Sequence, residues 1–194
     1  MLNEKCSGNL SDSDMLGLKL NSLDNKYVHM TGEIIDTIHY KDGRVEKRVG
    51  HNLVVDSFLN LVMCLLKNES GMPGIKYWAV GSGLNTWDDT MPNPSREETT
   101  LTSELGRVKI DPSEIVFLDN KYLVSDTPTN IIQITHLFSE ADCNGVWREF
   151  GIFGGNATED KDSGVMINKR HHAILTKTSE MTVERVMRFT LTLV

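Results

Sequence analysis

The sequence predicts a mainly β protein, a β-sandwich or jelly-roll-like domain with one buried helix. Three observations predict it. Short stretches rich in β-branched and aromatic residues recur from Tyr27 onward, and an Asp-Gly pair joins the first two of them. The last stretch alternates strictly, with Met187, Phe189, Leu191 and Leu193 set against Arg188, Thr190 and Thr192.

Residues 1 to 26 are polar and rich in Ser, Asn and Asp, with a thin apolar pattern at Met15, Leu16, Leu18 and Leu20. They are expected to form a flexible extension, disordered or ordering on a partner, ahead of a folded domain over 27–194. "YVHMTGEIIDTIHY" and "RVEKRVGHNLVV" flank Lys41-Asp42-Gly43-Arg44. Asp-Gly suits the positive φ of a tight turn, so residues 33–40 and 44–51 are expected to pair as a hairpin.

"DSFLNLVMCLLKN" predicts the helix, over about 56–68. Asp56 or Ser57 is expected to cap its start, and Asn68 to take the left-handed position at its end. Phe58, Leu59, Leu61, Val62, Met63, Leu65 and Leu66 cover nearly its whole circumference. A helix apolar on most sides must be covered on most sides, so it plugs the sheet assembly or lies in a subunit seam. Phe58, Leu59, Leu61, Val62, Leu65 and Leu66 are the candidate interface, and Cys64 reads as a small core residue.

"IKYWAVGSG" reads as a strand whose Gly81 and Gly83 serve a tight turn at its end. Residues 84–99 form a long loop, in which Ser95-x-x-Glu98 fits a capping box and a short helix. "VKIDPSEIVFL", "KYLVSD", "NIIQITHLF", "VWREFGIFGG", "GVMINKRHHAIL" and "VERVMRFTLTLV" are the remaining strands.

A net charge of −7 argues against a general nucleic-acid binder, which needs a basic footprint. Lys169, Arg170, His171 and His172 are the densest basic patch and are expected at an exposed strand end. Cys6, Cys64 and Cys143 are widely spaced, with no CxxC, which suits a reducing cytoplasm and excludes zinc ribbons. No signal peptide or membrane span is expected, because no apolar run is long enough.

The usual motifs for phosphate, zinc, calcium and acyl chemistry are absent, and no cofactor or catalytic residue is expected. The six histidines are scattered; His171 and His172 fall on opposite strand faces, and His136 reads as a hydrogen-bonded core or edge residue. Asp88, Asp89, Glu97 and Glu98 in the loop 84–98 offer oxygens to calcium, or are simply solvated. Nothing singles out two carboxylates for glycoside cleavage. Trp78, Trp87 and Tyr122 are the candidate platforms for stacking on a glycan.

In "GVWREFGIFGG" two aromatics, Trp147 and Phe150, flank an Arg148–Glu149 pair, and glycines follow at 151, 154 and 155. As a strand it places Trp147, Glu149, Gly151 and Phe153 on one face, with Val146, Arg148, Phe150 and Ile152 on the other. Charge and aromatic area on both faces suit burial on both faces, and Gly151 admits a close neighbour. Buried Glu149 then needs a cation, and Arg107 is the expected partner.

The ordered series "HNLVVDSFLNLVMCLL", "IKYWAVGSG", "TTLTSELGR", "REFGIFGG" and the closing Lys-containing hairpin resembles small structural proteins of the phage tail, baseplate or neck. The matching residues are Asn52, Gly81, Gly83, Leu101, Glu104, Arg107, Glu149, Gly151, Ile152 and Phe153, within residues 30 to 194. The resemblance implies a non-enzymatic, homo-oligomeric virion component, made in the host cytoplasm, that contacts other tail or neck proteins and connects tail parts to fibres. It covers neither residues 1 to 26 nor the full length of the loop 84–98. The alternative is a receptor-binding module for host-surface glycan.

Overall fold

The structure is a computed structural model and describes residues 28 to 193; the extension expected over 1–26 lies outside them. Two antiparallel sheets pack face to face. Sheet A runs β2 (Val45–His51), β1 (Val28–Tyr40), β11 (Met181–Leu193), β8 (Ile131–Phe138), β6 (Ile115–Leu118), β7 (Val124–Ser125). Sheet B runs β3 (Leu53–Val54), β10 (Val165–Lys177), β9 (Gly145–Gly154), β4 (Ile75–Gly81), β5 (Glu104–Lys109). The core between them joins Ile34, Ile38, Ile134, Val183 and Met187 of sheet A to Trp78, Val80, Trp147, Phe150 and Ile152 of sheet B.

The β1–β2 hairpin forms with Glu33 opposite His51 and His39 opposite Val45. Its turn uses Gly43 at φ 88°, with the Gly43 amide donating to the Tyr40 carbonyl. β11 pairs with β1 along its whole length, from Tyr40–Met181 to Val28–Leu193. Its alternation is buried at Met187 and Phe189, then emerges into solvent at Leu191 and Leu193.

The single helix among the described residues, α1 (Ser57–Lys67), ends as expected on Asn68 in the left-handed region. Its start differs. Neither Asp56 nor Ser57 caps it: the Asp56 carboxylate is taken by Arg96, and the Ser57 hydroxyl donates to the Met166 carbonyl. Nor is the helix buried, since Leu61 is its one buried residue.

On β9, Glu149, Gly151 and Phe153 face outward and Phe150 and Ile152 inward, but Trp147 joins Phe150 in the inter-sheet core. The alternation breaks at Arg148. There β10 sets three residues, His172, Ala173 and Ile174, against one, a bulge that reorients both strands.

Candidate functional site

The outer face of sheet B is covered by the long loop, which acts as a strap. Trp87, in a 3₁₀ turn at Asn85–Asp88, is buried against His171 with ring centroids 4.1 Å apart. Gly83, at φ 55°, leaves room for that indole, since a Cβ there would lie 2.5 Å from the ring. Asp88 accepts the Arg148 fork at 2.7 and 2.8 Å, and the Pro92 carbonyl lies 2.8 Å from His171 Nδ1. Further along, Arg96 reaches Asp56 at the start of α1, and Glu98 accepts from Lys169 at 2.9 Å. Hydrogen bonding to Arg148 holds the Asp88 carboxyl below its ordinary range. Burial pushes Glu98 upward, but Lys169 and the Ser95 amide outweigh it and hold that carboxyl low.

The Glu98 carboxylate accepts from the Ser95 amide and the Ser95 hydroxyl from the Glu97 amide, yet only a turn forms there, not a helix. Of the four acids of the loop, Asp88 and Glu98 are committed to ion pairs. No group of three or more His, Cys, Asp or Glu able to hold a metal occurs among the described residues. No helix among them is long and apolar enough to cross a membrane.

At the centre lies Glu149, fully buried. One oxygen accepts from the Ser103 amide at 2.8 Å; the other accepts from the Thr102 amide at 3.0 Å and sits 3.2 Å from Lys169 Nζ. The register explains this meeting: Gly81 and His171 stand opposite Glu149 on its two sides, and Lys169 stands opposite Gly151. A Cβ on Gly81 would lie 2.6 Å from the Glu149 side chain and 2.8 Å from the Ser103 carbonyl, so glycine is what lets the carboxylate cross to the strap. Gly151 likewise admits the Asn168 carbonyl, 2.7 Å from where its Cβ would be, with the buried Leu101 side chain next to it.

The expected Arg107–Glu149 bridge is therefore replaced by two others. Arg107 forks onto Glu104, both bonds 2.7 Å, and its third nitrogen donates to Thr158 and Ser163 of the following loop. A regular strand would put residues three apart on opposite faces. Here Leu105 is an extra residue between the pairs Val80–Gly106 and Gly81–Glu104, and this bulge brings Glu104 and Arg107 to one side. The basic patch at 169–172 is not an exposed strand end either. Lys169 and His171 lie under the strap, while Arg170 and His172 turn toward the other sheet.

The candidate interface divides. Leu61 is buried and Phe58 packs against the core, while Leu59 is 54% exposed, Met63 60% and Leu66 73%. At helical spacing Val62, Leu66, Leu59 and Met63 form one continuous arc, with half-exposed Leu65 at its border. The arc presents on the order of 400 Å² of apolar-residue surface, within the size range of the largest, often functional, patch on a monomer. The helix start is joined to the strap by the exposed Arg96–Asp56 pair, and its end closes on the Asn68 turn.

Two of the three candidate glycan platforms are ruled out by burial. Trp78 fills the inter-sheet core, and Trp87 is spent on fixing the strap. Tyr122 alone is exposed, at φ 62°, with the Arg188 guanidinium 5.0 Å from its ring. His136, on the interior strand β8, is hydrogen-bonded to Glu114 at 2.8 Å, in line with the expected hydrogen-bonded histidine.

No protein-family model matches the chain, and neither does any curated protein or solved structure. Gly81, Leu101, Glu149 and Gly151 lie together at the clasp between strap and sheet, whereas Glu104 and Arg107 pair with each other and hold the loop at 158–163.

Proposed function

We propose that this chain is a non-enzymatic structural component of a phage tail, neck or baseplate, which self-associates through α1 and connects tail parts to fibres. The observation that carries this reading is the apolar arc of α1, set on a sandwich whose loops are tied down by buried ion pairs. An arc of this size supplies about half of what one partner gives to a standard interface, so neighbouring loops would share the contact. The occupant is a second copy of the chain.

Light scattering across a concentration series tests the association. The wild type is expected to self-associate, and Leu59→Ser with Leu66→Ser to yield a monomer of nearly unchanged melting temperature, since exposed substitutions move stability by only about 0.5 kcal/mol. A wild type that stays monomeric at high concentration overturns the seam. Mass spectrometry of purified tailed particles tests the virion assignment, which fails if the chain is absent from them.

One observation favours the glycan reading as the second. Tyr122 stands beside a hollow of about 270 Å³ lined by Thr31, Glu33, His51, Arg188 and Thr190, an aromatic platform next to planar polar groups. Tyr122→Ala would abolish binding on a glycan array if that reading holds.

A further inference from the structure

Opposite the strap, on the open side of the sandwich, a cleft of about 440 Å³ lies between the β1–β2 hairpin and the bulged part of β10. Its volume falls in the range of small-ligand sites. Ile34, Val49, Phe150 and Ala173 give it apolar walls; Asp36, Glu46, Arg48, Arg170 and His172 give it charge and polarity.

The charges do not balance. Asp36 is gripped by Arg185 at 2.6 and 2.8 Å, and Glu46 by Arg48 at 2.6 Å. Arg170 is left over. Its guanidinium has no hydrogen bond or ion pair among the described residues, and its Nη1 is buried without a partner. The group lies flat against β2, where a Cβ on Gly50 would come within 2.0 Å of both terminal nitrogens. Burial lowers its pKa. Lys169, Arg107, Arg148 and Arg185 of this chain are each paired with a carboxylate, and half-buried Arg170 departs from that pattern, with its Nη1 cut off from water. A surplus of one positive charge in a walled cleft calls for one negative charge.

His172 narrows the chemistry. Its Nδ1 lies 2.8 Å from the Ala173 carbonyl, and burial followed by the Arg185 charge pulls its pKa down to about 3. The ring is neutral with its proton on Nδ1, which leaves Nε2, buried and unpartnered, as an acceptor. An acceptor beside an unpaired guanidinium suits a hydroxyl beside a carboxylate.

We infer that this cleft binds a monoanionic hydroxy acid of the sugar-acid class, its carboxylate on the Arg170 fork and a hydroxyl donating to His172 Nε2. A phosphate dianion fits less well, because Asp36 and Glu46 face the same space. The site is independent of the assembly reading and stands or falls without it.

Titration calorimetry of the full chain with sodium glucuronate tests it, with methyl glucoside and inorganic phosphate as comparison probes. Saturable binding of glucuronate is expected, at least tenfold tighter than either comparison probe. Arg170→Met should weaken glucuronate at least tenfold while raising the melting temperature, since it removes a half-buried charge that has no partner among the described residues. Gly50→Ala, on the neighbouring strand, should weaken it comparably by displacing the guanidinium, and it serves should Arg170→Met fail to fold. No saturable glucuronate binding up to about 10 mM, the weak end of specific recognition, overturns the site. Equal binding of phosphate or of the neutral glucoside overturns the ligand class, and undiminished binding in both variants overturns the role of Arg170.

Discussion

Glu149→Gln is the perturbation on which the clasp between strap and sheet can be judged. The substitution keeps the volume and removes the charge. Glutamine offers one acceptor oxygen where Glu149 now receives the Thr102 amide, the Ser103 amide and the Lys169 ammonium, all within 3.2 Å. Its amide nitrogen must therefore face a donor. Breaking a buried pair from one side costs about 3–5 kcal/mol. Lys169 keeps Glu98 at 2.9 Å and the Thr100 carbonyl at 3.2 Å, so the lower end, about 3 kcal/mol, is expected. For a domain of this size that is a fall of about 6–12 °C in melting temperature.

Lys169→Met attacks the same clasp from the other side. It leaves Glu149 with its two amides and lets the part-exposed Glu98 turn to water, so about 2–4 kcal/mol is expected. The double variant should cost less than the two singles together by at least about 1 kcal/mol, because neither charge is then stranded. Denaturant unfolding gives these energies, and hydrogen exchange localises them. Exchange should quicken in residues 82–103 and leave β1 and β11 unchanged. Singles costing under about 1 kcal/mol, or losses spread evenly over both sheets, would refute the clasp.

Gly81→Ala should cost about 1–3 kcal/mol by forcing Glu149 off the Ser103 amide, whereas Gly43→Ala, with open space around it, should cost only its positive φ, about 1 kcal/mol; equal losses on thermal melting would contradict the packing argument. Asp36→Asn should lose about 3–5 kcal/mol by stranding the fully buried Arg185, and adding Arg185→Met should recover part of it; a double variant no better than the single would show that the pair is uncoupled. His172, faced by Arg185, Asp36 and Arg170, has a folded pKa of about 3, below the 6.5 of the unfolded chain, so its contribution is whole above pH 6.5 and is lost as pH falls toward 3. Between pH 6.5 and 4.5 that loss is about 2–3 kcal/mol; His172→Gln should flatten it, and an unchanged slope in the variant would refute the assignment.

What was legible in the sequence is what local chemistry decides. Asp42-Gly43 fixes the hairpin turn, Asn68 takes the left-handed helix end, and the alternation at 187–193 marks the closing strand. That Glu149 must be paired was legible too, from the apolar strand around it. Its partner was not, because Lys169 meets it through the β9–β10 register, and the two amides come from a strap with no periodicity to read. Arg107 was misassigned because a single extra residue, Leu105, flips the face on which Glu104 lies. The helix shows the converse error. Its composition demands cover on most sides, and the sandwich supplies it only at Leu61 and its neighbours, so what looked like core is in part surface.

The two faces of sheet B make opposite use of charge, and the contrast separates scaffold from site. On the outer face, Glu149, Lys169, Arg148 and Asp88 at the strap, and Arg107 and Glu104 at the loop 158–163, are matched among themselves and with backbone groups, so each is consumed in fixing a loop. A group so consumed cannot bind or react without undoing the fold around it. On the cleft side the same strand, β10, contributes Arg170 and His172, and there the matching stops one charge short. A cost of that kind persists in a folded protein when something offsets it, and packing alone does not, since methionine would fill the Gly50 notch without the charge. The adjacent positions 169 and 170 therefore carry different duties, set by the period of two along one strand. Lys169 holds the structure together, and Arg170 is available to a ligand.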